Sequence, residues 1–194
     1  MRENTKKERF LEVALQLIHE KGFKATTMRD IANALNFEVA NVYNYIDSKQ
    51  SLLEIYLFNI QDEFHDSIDL VVASTYSPKE KLKLVISSYI QITAKRPLVQ
   101  ALIANEWRNL KEPKLQEFIV RRNEYENKLK SIVREGLLTG VFREVDVDIT
   151  THIIMSSLRW LYVKYINPHT TVNPIELEKQ MTDFILNAIA KKLL

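Results

Sequence analysis

The chain of 194 residues carries 27 Lys+Arg against 25 Asp+Glu, and 46% of it is hydrophobic, which suits one or two compact domains and excludes a disordered tail. Only Gly22, Gly136 and Gly140 are present, where roughly 7% usage would give about fourteen glycines, so a Gly-rich phosphate cradle or dinucleotide turn cannot be built. The absence of cysteine removes disulfides, thiolate nucleophiles and zinc–sulfur sites.

A charged start lacking an apolar core predicts no signal peptide. The most apolar run, residues 153–163, is short and interrupted by Ser156, Ser157 and Arg159, so no membrane span is expected. A cytoplasmic protein without a membrane partner follows from this reading.

Helical spacing dominates. Leu11, Ala14, Leu15 and Ile18 follow the i, i+3, i+4, i+7 pattern, and Gly22 supplies a stop. Thr27 with Asp30 predicts a capping box opening a helix over 28–35. Asn36 tolerates the left-handed conformation an abrupt turn needs. A second short helix is expected at about 38–45. Asp47-Ser48 then caps a long helix beginning at Lys49, with Leu52, Leu53, Tyr56, Ile60, Phe64 and Ile68 inward. Ser77-Pro78, Pro97, Pro113, Asp146 or Asp148, and Asn173-Pro174 open the helices that follow. No segment alternates with period two. The chain reads as all-α with about nine helices, divided into a unit of three short helices at 1–48 and a helical bundle at 49–194, with the Lys49 helix bridging them.

Two short amphipathic helices joined by a tight turn have the layout of a helix-turn-helix, whose second helix enters the major groove. Ile31, Leu35, Phe37, Val42 and Ile46 would hold the pair together. Asn41, Tyr43, Asn44 and Tyr45 remain outside; Asn pairs bidentately with adenine, and Tyr hydroxyls reach phosphate.

This segment resembles the tetracycline-repressor (TetR) family of bacterial transcription factors over about residues 8 to 56. The resemblance rests on Gly22-Phe23, Thr26-Thr27, Ile31-Ala32, Tyr43, Lys49 and Leu52-Leu53. It implies that Thr27, Tyr43 and Lys49 hold phosphates, while Val39, Asn41, Asn44 and Tyr45 face base edges. Lys6, Thr26, Arg29 and Glu38 complete the expected DNA-contacting set. Asn36, Glu38, Ala40-Asn41 and Ile46 depart from the family pattern and leave the preferred DNA sequence open.

Charge speaks less clearly. Residues 1–60 hold eight Lys/Arg and eight Asp/Glu, and residues 61–194 hold nineteen and seventeen, so the +2 total arises entirely in the second part. Local placement is more informative: Arg2, Lys6, Lys7 and Arg9 crowd the N-terminal arm, and Lys24, Arg29 and Lys49 flank the groove helix.

In the second part, His152, Ser156 and Arg159 stand at i, i+4 and i+7 on an otherwise apolar helix. A buried Arg must be paired, so Arg159 meets an internal carboxylate, a subunit interface or a ligand. The expected effector pocket is lined by Tyr89, Trp107, Phe118, Tyr125, His152, Ser156 and Arg159. It would take a lipophilic or amphipathic molecule. The last two helices carry apolar surface in excess: Leu158, Leu161, Tyr162 and Tyr165 on one, Leu177, Met181, Phe184, Ile185 and Ala188 on the other. A homodimer through them is expected.

An enzyme is not expected. The residues three before the four histidines are Gln16, Asp62, Ile149 and Ile166, so the Glu-x-x-His pairs of a di-metal bundle are missing. No metal or cofactor is called for. The reading is a DNA-binding transcriptional regulator, a ligand-responsive repressor on a palindromic operator; the alternative is a helical interaction protein without DNA binding.

Overall fold

The computed structural model describes residues 6–167, 169 and 173–191; Arg2 of the basic arm lies outside them. The helices are α1 (Lys6–Lys21), α2 (Met28–Leu35), α3 (Val39–Val42), α4 (Lys49–Ala73), α5 (Pro78–Lys95), α6 (Pro97–Asn105), α7 (Lys114–Leu138), α8 (Val147–Arg159), α9 (Tyr162–Ile166) and α10 (Pro174–Ile189). A 3₁₀ turn, Trp107–Asn109, follows α6. No strand occurs among the described residues; one isolated bridge joins Phe142 to Ala190. The chain is all-α.

The starts obey local chemistry. Ser48 Oγ accepts the Ser51 N–H at 3.0 Å. Ser77 and Glu80 form a capping box ahead of Pro78, Asp146 rather than Asp148 caps α8 through the Ile149 N–H, and Asn173 caps α10. Each cap satisfies amide donors that the first helical turn would otherwise orphan.

One expected helix divides. The stretch from Asp146 to Ile166 breaks after Arg159, where the Leu161 N–H reaches back to the Leu158 carbonyl at 3.2 Å. An i to i+3 turn eclipses side chains three apart, which lets Leu158 and Leu161 both be fully buried.

The chain forms two compact units, and their boundaries differ from the expected 48/49 division. The first comprises residues up to 60 together with 98–118; the second comprises 61–97 and 119 onward. The first turns of α4 belong to the first unit: Leu52, Leu53, Leu57 and Ile60 are fully buried and the Tyr56 hydroxyl donates to the Leu11 carbonyl of α1. These α4 residues join Phe10, Ala14, Ile18, Ile31 and Val42 in the core of the first unit.

In the second unit α10 packs chiefly on α5. Gly136 lies where any Cβ would strike the Phe142 ring, 2.0 Å from its Cδ2, so a side chain there would expel Phe142 from the core. Polar pairs run between α4 and α7: Asp62 with Arg121 and Asp69 with Lys128. His65 lies between them, its Nε2 3.0 Å from the Arg121 carbonyl and its Nδ1 3.2 Å from Lys128 Nζ. Lysine only donates, so Nδ1 must accept and the ring is neutral with its proton on Nε2. Partial burial first, and the Lys128 charge second, lower the His65 pKa. A His with a lowered folded-state pKa stabilises fully above its unfolded value of about 6.5 and loses that contribution as pH falls below it. Thermal unfolding of wild type and His65→Gln at pH 7.5 and 5.5 should therefore show the larger acid loss in wild type.

Candidate nucleic-acid interface

Thr27 caps α2 by accepting the Asp30 N–H at 3.1 Å, and Asp30 Oδ2 accepts the Thr27 N–H at 2.8 Å. Hydrogen bonds from Thr27, then from Lys21, hold the Asp30 carboxyl far below the usual carboxylate range. At the other end Asn36 adopts φ 55, ψ 42, the left-handed geometry required to reverse the chain. The Phe37 N–H returns to the Ala32 carbonyl at 2.9 Å, and α3 packs against α2. Buried Ile31, Ala32, Val42 and Ile46 bind the pair.

What this packing leaves exposed is a polar reading surface. Asn41, Asn44, Arg29, Glu38 and Lys6 are exposed, and Tyr43 is 52% exposed. Asn amides and a Tyr hydroxyl on the second helix and its following turn have the donors and acceptors that base edges and phosphates require. Val39 is half-buried at the start of α3.

Several expected contacts have other work inside the unit. Thr26 is fully buried; its hydroxyl donates to the Gly22 and Leu17 carbonyls, so it closes the α1–α2 turn rather than touching DNA. Thr27 is exposed, but its hydroxyl is engaged with Asp30 at 2.6 Å. Tyr45 is half-buried, its ring stacked on Phe10 at 5.4 Å and on Phe37 at 6.0 Å. Lys49 departs furthest from expectation. Its ammonium donates to the carbonyls of Phe23 at 2.7 Å, Lys24 at 3.2 Å and Thr26 at 2.6 Å, and it lies over the Phe23 ring at 4.7 Å. Three donors meet three acceptors, so the ammonium is engaged by the turn.

Sequence reading missed the other side of this turn. Glu106 Oε1 accepts the Phe23 N–H at 3.2 Å, Asn109 donates to Glu106 Oε2 at 2.5 Å, and Gln50 donates to the Asn109 carbonyl at 3.3 Å. No local pattern could reveal it, because the partners stand 83 positions apart.

The expected effector residues do not converge. Trp107 stacks on Phe118 at 5.8 Å in the first unit. Tyr89 and Tyr125 meet around Phe64 in the second, at 4.8 and 5.9 Å. His152, Ser156 and Arg159 share a helix face as spacing required, but all three are exposed; α8 turns its Ile154 and Leu158 side inward instead. Arg159 therefore lines no interior pocket of the chain. Within the second unit, Thr93 and Thr151 are fully buried and their hydroxyls lack a hydrogen-bond partner. Among the described residues no group of His, Asp and Glu is gathered to hold a metal, and no helix is long and apolar enough to cross a membrane.

A left-handed Asn joining two short helices, with amides and a phenol left outward on the second, makes this a helix-turn-helix DNA-binding regulator. Residues 10–55 match the family model for bacterial regulatory proteins of the tetR family, and residues 75–189 match that for the tetracyclin repressor-like C-terminal domain. The chain belongs to the TetR family of bacterial transcriptional regulators and is not an enzyme. It is 24% identical over 189 residues to the HTH-type transcriptional repressor KstR2 of Mycolicibacterium smegmatis, covering 96% of this chain and 92% of that one. The fold is shared with the ketosteroid transcriptional regulator KstR2 of Mycobacterium tuberculosis, at TM-score 0.90, 21% identity and 98% coverage of both chains. It is shared too with AibR, solved in complex with isovaleryl coenzyme A and operator DNA, at TM-score 0.79, 22% identity and 93% and 97% coverage.

Proposed function

We propose that the chain is a homodimeric repressor that binds a near-palindromic operator and releases it when a small molecule occupies the second unit. The observation that carries the DNA reading is the outward set of Asn41, Tyr43 and Asn44 beside a left-handed Asn36 turn. Repression is supported by the likeness to KstR2. Dimerisation is supported by two apolar stripes left in solvent. On α8 and the turn after it, Ile149 is 62% exposed, Ile153 59% and Trp160 44%, at spacings that place them on one side. On α10, Phe184 is 70% exposed and lies in line with Leu177, Met181 and Ala188. Of the apolar residues read from sequence as interface, Leu158, Leu161 and Ile185 are instead buried within the chain.

For the effector, the supporting features are the Phe64–Tyr89–Tyr125 aromatic cluster and the buried, unpartnered Thr93 and Thr151 hydroxyls. Thr93 lies one turn beyond Tyr89 on α5. Hydroxyls in an apolar interior favour an apolar body carrying a neutral oxygen, since a buried polar group is costly until it finds a partner. Ketosteroids, from which the regulator KstR2 takes its description, have that character; of the isovaleryl coenzyme A bound by AibR only the short acyl thioester end has it, the rest being anionic. Arg159 is exposed and stands apart from these buried groups.

Selection of bound duplexes from a random pool tests the DNA reading: an enriched inverted repeat is expected, and recovery of unenriched sequence would refute it. With that repeat in hand, Asn41→Ala should lose discrimination at one position per half-site, by about 1–3 kcal/mol. Arg29→Ala should weaken all duplexes alike and reduce the salt slope by about 0.9 per half-site.

A further inference from the structure

We infer that Glu106 is a positioning residue of the DNA-binding head, the point at which residues 98–118 fix the geometry of the helices that read DNA. In sequence this segment lies within the match to the C-terminal domain; in space it belongs to the same compact unit as α1 to α3. The α1–α2 turn is grasped from two sides at one residue. Lys49 takes the Phe23 carbonyl at 2.7 Å, and Glu106 takes the Phe23 N–H at 3.2 Å. Asn109 holds the other carboxylate oxygen, and Gln50 of α4 holds Asn109, so the chain of contacts closes on itself. Gly22, at φ +84, passes close by; a Cβ there would lie 3.6 Å from Glu106 Oε1.

Ion pairing does not account for this carboxylate. It stands beside Lys21, Lys24 and Arg108 in a cleft of about 420 Å³, yet its hydrogen bonds go to an amide N–H and a carboxamide instead of forming an ion pair. Negative charge near a DNA-binding turn also opposes phosphate. A charged acceptor does give the stronger bond to a backbone N–H, and the turn it holds aims Met28, the first residue of α2, and through α2 the packed α3. The coupling rests on the DNA-binding reading, and it extends that reading to a residue outside the helix-turn-helix.

Two substitutions separate charge from reach. Glu106→Gln removes the charge but keeps an oxygen at the same distance; Glu106→Asp keeps the charge but draws it back by one methylene. Full-length proteins are titrated with the duplex that wild type selects and with a scrambled duplex, and amide hydrogen exchange is followed at Phe23. The Asp variant should bind the selected duplex about tenfold more weakly, with Phe23 exchanging at least tenfold faster. The Gln variant keeps an oxygen for the Phe23 N–H but sets an amide nitrogen against the Asn109 donor, so it should fall between wild type and Asp on both measures. If Glu106 acted only through charge, Gln would tighten both duplexes and Asp would match wild type, and the inference would be overturned. Equal behaviour of all three proteins, in binding and in exchange, overturns it as well. Should wild type select no duplex, the DNA reading fails while the exchange arm still decides whether Glu106 holds Phe23.

Discussion

Ile153→Glu combined with Phe184→Glu should leave the protein monomeric at micromolar concentration where the proposed dimer forms in wild type, with operator affinity falling by at least about 100-fold. Both side chains are in solvent in the single chain, at 59% and 70% exposure, so the charges cost the isolated fold little. In a self-complementary interface each change is felt twice, and four carboxylates would be brought into an apolar contact that cannot pair them. The affinity loss is larger than the contacts at one half-site explain, because linking two modules raises the effective concentration of the second and is worth 10²–10⁴ in avidity. Sedimentation with and without DNA checks the state, and circular dichroism checks that the helices survive. A variant that remains dimeric would place the interface elsewhere.

Lys49→Met should destabilise the DNA-binding unit by about 2 kcal/mol, the scale of losing hydrogen bonds from a charged donor, and should weaken operator binding without changing its salt slope. Methionine keeps an apolar stem against Phe23 but strands the carbonyls of Phe23, Lys24 and Thr26, which the ammonium now joins at 2.6–3.2 Å. A phosphate contact would behave differently. Losing one removes a released counterion, so the slope of log K against log salt would fall by about 0.9 per half-site while stability stayed the same. Denaturant unfolding and a salt titration of the selected duplex together distinguish the two roles, with Arg29→Ala as the comparison expected to change slope and not stability.

These two experiments differ in how much of their basis could be read from the chain alone. Helix starts and stops could: Thr27 with Asp30, Asn36, Ser77 with Pro78, and Asn173 with Pro174 all act through hydrogen bonds or fixed dihedrals within four residues. So could the helix-turn-helix, since its turn chemistry and its apolar spacing coincide in one short stretch. Tertiary structure decided the rest. Periodicity establishes that His152, Ser156 and Arg159 share a face, but not whether that face meets the chain's own core or solvent, and α8 turned it outward. Spacing likewise grouped Trp107 and Phe118 with Tyr89 and Tyr125, whereas the chain enters the first unit again at residue 98 and leaves it after 118, dividing the aromatics between two cores. Lys49 and Glu106 show the same limit in polar form. A charged side chain looks alike in sequence whether it faces phosphate or a backbone group, and its partners here stand 23 to 83 residues away, beyond any local pattern, where only the folded path of the chain brings donor to acceptor.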